Sequence, residues 1–443
     1  MLGSKPIHST RVANAGIMTK PPINHLRWSI AVLLCLASEL NYMDRVALSV
    51  LKERMQVSLH FDDTGYARIS ATFLWVYACS YLMVGWIVDR IGSRRGMLVF
   101  VSGWSVANML HALATGLGSL TCFRALLAFF EPGSFPAGMK AICEWFPLRD
   151  RALATGIFIA GTSLGSTLAV PIVEVLAQKW GWQSAFVVTG LMGMAWVLLW
   201  YLIYQLPEHH PRLSTTERQL ILAGRELEND ATPPAPLSQL MRMREFWGCV
   251  AARVCTDPIS YFLLFWGPSY IRTKGGYVAE HFAQFAWMPF AAMMIGYLFS
   301  GAMPRFLMSH NWGLNIARKT TIFGVSIVIL LLCGLLTQIR TPEVSLIVFA
   351  GICFGHGAWG NMTFPAEVFP KQAVGIVTGF GGFLGAIVGG ITQLLIGNAV
   401  LHYGYGPIFT VISVMYLIAL GIVHFTIGEL GVIRNLNKNR TEH

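Results

Sequence analysis

Long apolar runs recur along the chain at 28–50, 69–88, 97–115, 120–142, 152–175, 184–205, 246–270, 281–303, 320–338, 344–365, 372–396 and 407–428. A run of about 18 or more apolar residues crosses the ~30 Å hydrocarbon core of a bilayer as a helix. Lipid offers no partners for backbone N–H and C=O groups, so these runs are predicted to be helices. The pattern predicts an all-α polytopic membrane protein with twelve transmembrane helices. Between 206 and 245 the chain turns polar, with Pro207, Pro211, Pro233, Pro234 and Pro236. This stretch reads as a cytoplasmic linker, helical around Thr216 to Leu227. It divides the helices into two six-helix bundles, 28–205 and 246–428, with tails at 1–27 and 429–443.

The two halves echo each other. Glu144-Trp145-Phe146-Pro147 is followed by Thr155-Gly156, and Glu367-Val368-Phe369-Pro370 by Thr378-Gly379, at the same interval. Both echoes fall after the fourth helix of their half, as duplication of a six-helix unit would produce. Gly161 and Gly165, and Gly381, Gly385 and Gly389, recur at four-residue spacing and predict faces of close helix packing.

Only 12% of the residues are charged, against about 25% in soluble domains, which argues against a soluble enzyme. The net charge of +10 raises the question of nucleic acid, but its placement answers it. Lys and Arg crowd one set of loops, among them Arg90, Arg94, Arg95, Arg149, Arg151, Arg212, Arg218, Arg242, Arg244, Arg305, Arg318 and Lys319. The other set holds fewer, Lys52, Arg54, Arg68, Lys179, Arg272, Lys274 and Arg340. By the positive-inside bias both termini are cytoplasmic, in a multi-pass inner-membrane protein that does not bind nucleic acid. The first 27 residues lack the apolar middle region of a cleavable signal peptide. The eight cysteines lie in apolar stretches without a CxxC pair, so no metal or cofactor is expected. HExxH, GxSxG and P-loop motifs are absent from the sequence, which argues against an enzyme.

Ionisable residues within membrane helices are costly and point to function. Asp44 and Arg45 lie late in the first helix, in Asn41-Tyr42-Met43-Asp44-Arg45. Arg124 and Glu131 lie in the fourth, seven residues apart and so on one helix face. Pro132 and Pro136 are expected to bend that helix just beyond them. Arg offers a planar fork of donors that matches a carboxylate. A carboxyl group that desolvation and a nearby Arg pull in opposite directions can exchange a proton near neutral pH. The expected roles are therefore substrate binding for Arg45 and Arg124 and proton coupling for Asp44 and Glu131. The bland alternative is two structural ion pairs, Arg124–Glu131 and Asp44–Arg45. Tyr42, Tyr77, Asn361 and Thr363 are further candidates for contacts to substrate hydroxyls. His356 reads as a satisfied buried histidine, and Asp257-Pro258 as a candidate helix break.

The loop Gly85-Trp-Ile-Val-Asp89-Arg90-Ile-Gly92-Ser-Arg94-Arg95 resembles the G-x-x-x-D-R-x-G-x-R-R/K motif of the major facilitator superfamily. There Asp89 is expected to meet a helix N-terminus or a neighbouring Arg, a latch favouring the outward-facing state. Gly85 would permit close helix approach, and Arg90 and Arg94 complete the motif. The second-half counterpart, Gly301-Ala-Met-Pro304-Arg305, lacks the acidic residue. Asn41 to Arg45, Arg124 with Glu131, Pro136 to Pro147, Arg253-Val-Cys-Thr-Asp257-Pro258 and Phe265-Trp266-Gly-Pro268-Ser-Tyr270 resemble the anion:cation symporters, most of all the hexuronate transporters. Thr162 departs from the Gln that aldonate carriers tend to have. The resemblance covers about 28 to 428. It implies a monomeric proton-coupled symporter that imports a small organic anion, a hexuronate such as galacturonate or glucuronate, by alternating access. Carriage of another carboxylate (aldonate, aldarate, tartrate or aromatic acid), or anion sensing without transport, remain the alternatives.

Overall fold

The computed structural model describes residues 25–226, 236–275, 284–339, 341–369 and 371–430. Pro233, Pro234, Arg340, Pro370 and most of both predicted tails lie outside the described residues. The described chain is helical: α1 Leu26–Val50, α2 Lys52–Leu59, α3 Asp63–Leu110, α4 Leu117–Phe130, α5 Ser134–Trp145, α6 Leu148–Trp180, α7 Trp182–Ile203, α8 Thr215–Glu226, α9 Leu237–Leu240, α10 Arg244–Gly275, α11 Met288–Ser309, α12 Leu314–Leu336, α13 Pro342–Trp359, α14 Phe364–Val368, α15 Lys371–Tyr403 and α16 Gly406–Ile427.

Each predicted apolar run maps onto these elements, and the departures have local causes. The second and third runs share α3, whose helix is interrupted at Gly92 with φ 81°. That left-handed conformation favours glycine, so the loop motif turns the chain at its own Gly. The fourth run is broken into α4 and α5 by a 3-10 turn at Glu131–Gly133, where Pro132 removes an N–H. The tenth run breaks alike: α13 ends at Gly360, with φ 63°, and a 3-10 turn at Asn361–Thr363 leads into α14. By contrast α10 continues through Pro258 and Pro268, so Asp257-Pro258 is not the helix break that the sequence suggested.

Nine helices among the described residues are long and apolar enough to cross a membrane, and one of them, Asp63–Leu113, covers two runs. Those that fall short are α1 and the broken α4–α5 pair, the elements that carry Asp44, Arg45, Arg124 and Glu131. Large apolar side chains such as Leu198, Leu298, Leu331 and Phe425 are exposed on the outside, as lipid-facing residues are. Inside, α1 packs closely on α6. A Cβ at Gly161 or Gly165 would collide with the carbonyl oxygen of Cys35 or Glu39. Gly385 likewise seats the Asp257 carboxyl, so the glycine face of α15 lies on α10.

The linker helix α8 marks one pole. Its buried Glu217 accepts from the first backbone N–H groups of α1, Leu26 at 3.0 Å and Arg27 at 3.3 Å, and pairs with the Arg27 side chain at 3.4 Å. Polar contacts between the halves gather at the other pole. There Lys52 meets Ser269 at 3.1 Å and stands over the Trp266 ring, Tyr66 donates to the Phe265 carbonyl at 2.7 Å, and Arg272 pairs with Glu174 at 3.0 Å. The structure is thus closed at the pole away from the linker.

Candidate functional site

The charged residues of α1 and α4 meet in the middle of the first bundle, but with pairings the sequence did not specify. Arg45 donates through Nη2 and Nε to Glu131 Oε2, at 2.6 and 3.1 Å. Arg45 is 4% exposed and Glu131 0%. The guanidinium stands over the rings of Tyr42, Tyr77 and Phe73, with centroids 4.6, 4.9 and 5.4 Å away. Arg124 holds neither carboxylate; its Nη2 donates to the Arg45 carbonyl at 2.9 Å and its Nη1 to the Asp44 carbonyl at 3.4 Å. The Arg124–Glu131 pair is therefore replaced by Arg45–Glu131. Seven residues put Arg124 and Glu131 on one face but about 10 Å apart along the axis, and α1 inserts Arg45 between them.

Asp44 is separated from its neighbour Arg45. Its Oδ1 lies 2.8 Å from Asn108 Nδ2, and the same amide nitrogen, with two N–H to give, also lies within hydrogen-bond distance of Thr189 Oγ1 at 2.7 Å and the Phe186 carbonyl at 3.1 Å. Consecutive helical side chains point about 100° apart, so Arg45 faces the aromatic group while Asp44 faces α3 and α7. The other buried carboxylates each hold a guanidinium: Glu131 with Arg45, Glu174 with Arg54 and Arg272, Glu217 with Arg27, Asp257 with Arg253. Asp44, also 0% exposed, has no ion-pair partner within 4.0 Å among the described residues. Neither Asn108 nor Thr189 was singled out by sequence; a lone Asn within the apolar run 97–115 was the available signal.

The second half contributes a matching buried pair. Arg253 Nε lies 2.7 Å from Asp257 Oδ2, and Asn361 Nδ2 donates to Asp257 Oδ1 at 2.8 Å and to Thr256 Oγ1 at 2.7 Å. Tyr261, one turn beyond Asp257 on α10, stacks on Phe265 at 6.0 Å and rests its ring against Gly389 of α15. Tyr81 stacks on Tyr77 at 6.0 Å. Asn361 thus belongs to the centre of the molecule. Thr363 does not: its hydroxyl accepts from Arg318, which also bonds the carbonyls of Ser300 and Gly360 and pairs with Glu367. His356 is satisfied by Tyr416 at 2.6 Å.

At the linker pole the loop motif is loosely held. Asp89 has an 81% exposed side chain and touches Lys140 at 3.5 Å. Arg90 stacks on Trp86 with its guanidinium 3.7 Å from the ring centroid, and Arg94 donates to the Tyr201 carbonyl at 3.1 Å. Nothing lies within 4 Å of a Cβ built on Gly85, so no helix crowds it in this conformation. A cavity of about 570 Å³ lined by Arg68, Thr72, Trp75, Thr121 and Leu394 shares no residue with the charged cluster. The central site is defined by its buried charges instead.

The model of the Major Facilitator Superfamily matches residues 34–393. The chain is 27% identical over 406 residues to the hexuronate transporter of Escherichia coli K12, covering 90% of this chain and 94% of that one. It is 31% identical over 303 residues to the galacturonate transporter of Dickeya chrysanthemi, covering 68% and 88%. Among solved structures it is similar to a bacterial homologue of the human lysosomal transporter Spinster in an inward-facing, occupied conformation. That similarity has TM-score 0.71 and 15% identity, and covers 91% of this chain and 97% of that one.

Proposed function

The chain belongs to the Major Facilitator Superfamily, and from that premise we propose that it imports a hexuronate-type sugar acid together with protons, by alternating access. The family and relatives are transporters, so this is a multi-pass membrane transporter of the sugar-acid class and not an enzyme. The Arg45–Glu131 pair carries the finer reading. A buried, doubly bonded guanidinium facing Tyr42 and Tyr77 is a carboxylate receptor already occupied by an internal carboxylate. When Glu131 takes up a proton, Arg45 is released to a substrate carboxylate; when the substrate leaves, Glu131 re-forms the pair and releases its proton. One guanidinium serving two carboxylates in turn makes proton and anion uptake depend on each other.

Asp44 supplies the second proton site in this reading. A buried charge without a partner is expensive, so Asp44 is held as the neutral acid while the seam around it is closed. Arg124 braces both groups through the carbonyls of Asp44 and Arg45. Tyr42, Tyr77 and Asn361 line the substrate path with hydroxyl and amide groups suited to sugar hydroxyls. The loops rich in Lys and Arg place the linker pole in the cytoplasm, so a structure closed at the other pole is inward-facing, with the protein acting as a monomer. The test is uptake into proteoliposomes of labelled galacturonate, glucuronate, galactonate and glucarate, with and without an imposed inward proton gradient. Gradient-dependent accumulation of the hexuronates is expected. Accumulation indifferent to the gradient would refute proton coupling, and preference for the aldonate or the diacid would refute the substrate class.

A further inference from the structure

Asn108 joins three helices through one amide. Its Nδ2, with two N–H to share among three neighbours, lies within hydrogen-bond distance of Asp44 on α1 and of Thr189 and the Phe186 carbonyl on α7. The Asp44 carboxyl is consequently fixed unevenly: Oδ1 is engaged, whereas Oδ2 is buried without a protein partner. The amide that donates to Oδ1 carries an acceptor oxygen, Asn108 Oδ1, that is also buried and unused, as is Asn41 Oδ1 on α1. A carboxylic acid has one O–H to donate, and here only one carboxyl oxygen is available to carry it. We propose that Asn108 is the positioning residue that assigns the transported proton to Oδ2 of Asp44 and thereby sets the pH at which proton uptake drives transport.

Asn108 acts among a small set of charged and polar groups that face Asp44. Arg124 reaches from α4, directs Nη1 and Nη2 to backbone carbonyls and leaves its buried Nε without a bond, and Glu131 is held by Arg45. His111, one turn along α3, contacts the Ala107 carbonyl through Nδ1. From α7 the Thr189 hydroxyl stands beside both Asn108 and the Asp44 carboxyl as a second hydrogen-bonding group, and the Phe186 carbonyl lies 3.1 Å from Asn108 Nδ2. Glu174 on α6 is engaged by Arg54 and Arg272, and Arg253 and Asp257 on α10 hold each other.

This inference rests on Asp44 being a proton carrier, so the experiment includes Asp44→Asn. Full-length wild type, Asp44→Asn, Asn108→Ala and the isosteric Asn108→Asp are reconstituted in proteoliposomes. Gradient-driven accumulation and counterflow of labelled hexuronate are measured from pH 5.5 to 8.5. Loss of a donor to a carboxylate favours its protonated form, and such a bond is equivalent to about one to two pH units. The accumulation profile of Asn108→Ala is expected to move to alkaline pH by that amount while counterflow persists. Asn108→Asp, with a second carboxyl in place of the donor, should move at least as far and retains the side-chain shape should the Ala variant fail to fold. Unmoved profiles in both variants would overturn the proposal, as would a pH-independent loss of accumulation and counterflow together. Wild-type accumulation by Asp44→Asn would instead remove Asp44 from the proton path, whatever the Asn108 variants show.

Discussion

Glu131→Gln removes the carboxylate charge from the Arg45 pair and little else. In the structure that pair has two hydrogen bonds, 2.6 and 3.1 Å, with both partners almost wholly out of solvent. Stripping one partner from a buried pair costs about 3–5 kcal/mol, because the remaining charge is left uncompensated. Contacts of Arg45 with Tyr42, Tyr77 and Phe73 offset part of this, at about 0.5–2 kcal/mol each. The unpaired guanidinium is thus available to an anionic substrate at all times, and substrate exchange should survive. Coupling should not. Each coupled proton multiplies steady-state accumulation tenfold per pH unit, about 1.4 kcal/mol, and without it a monoanion faces about 2.3 kcal/mol per 100 mV of inside-negative potential. In proteoliposomes clamped at zero potential with one pH unit imposed, Glu131→Gln should therefore accumulate labelled hexuronate at least tenfold less than wild type. Its counterflow should stay within a few-fold. Accumulation at the wild-type level would show that Glu131 carries no transported proton.

Three further outcomes follow from the geometry. Arg124→Lys keeps the charge but cannot bridge the carbonyls of Asp44 and Arg45; losing one such bond costs about 1.5–3 kcal/mol, so apparent substrate affinity should fall tenfold or more, measured as the half-saturation of counterflow. Asp89→Asn should favour the inward-facing state and slow net turnover while leaving substrate binding intact, since Asp89 is exposed here and its latch can act only in the other conformation; unchanged accessibility of engineered cysteines at the linker pole would contradict this. Glu174→Gln removes the carboxylate that Arg54 and Arg272 share at 2.5 and 3.0 Å, leaving Arg272 with Glu53 at 3.4 Å, and should raise thiol labelling of a cysteine placed at the pole away from the linker.

Much of this was written in local pattern. Length and apolarity define the membrane-crossing helices other than α1 and the broken α4–α5 pair, because a bilayer imposes one minimum length and forbids unpaired backbone. The bend at Pro132 followed from a single residue whose backbone chemistry is intrinsic, whereas the break at Gly92 emerged only in the fold. The cost of burying charge singled out Asp44, Arg45, Arg124 and Glu131 before any fold was known. Pairing was not legible. Helical periodicity orders residues on one helix, and it suggested Arg124 with Glu131; the actual partner, Arg45, comes from another helix whose approach is set by packing of Gly161 and Gly165 on α1. Asn108 and Thr189 look like ordinary polar residues in apolar runs until α3 and α7 bring both to Asp44. Thr363 was equally ambiguous, and only the position of Arg318 draws it to the linker pole. Which ionisable groups lie within the membrane can be read from the order of residues alone. Which of them neutralise each other cannot, because an ion pair or a hydrogen bond forms over about 3 Å, a distance that only the packing of separate helices can set.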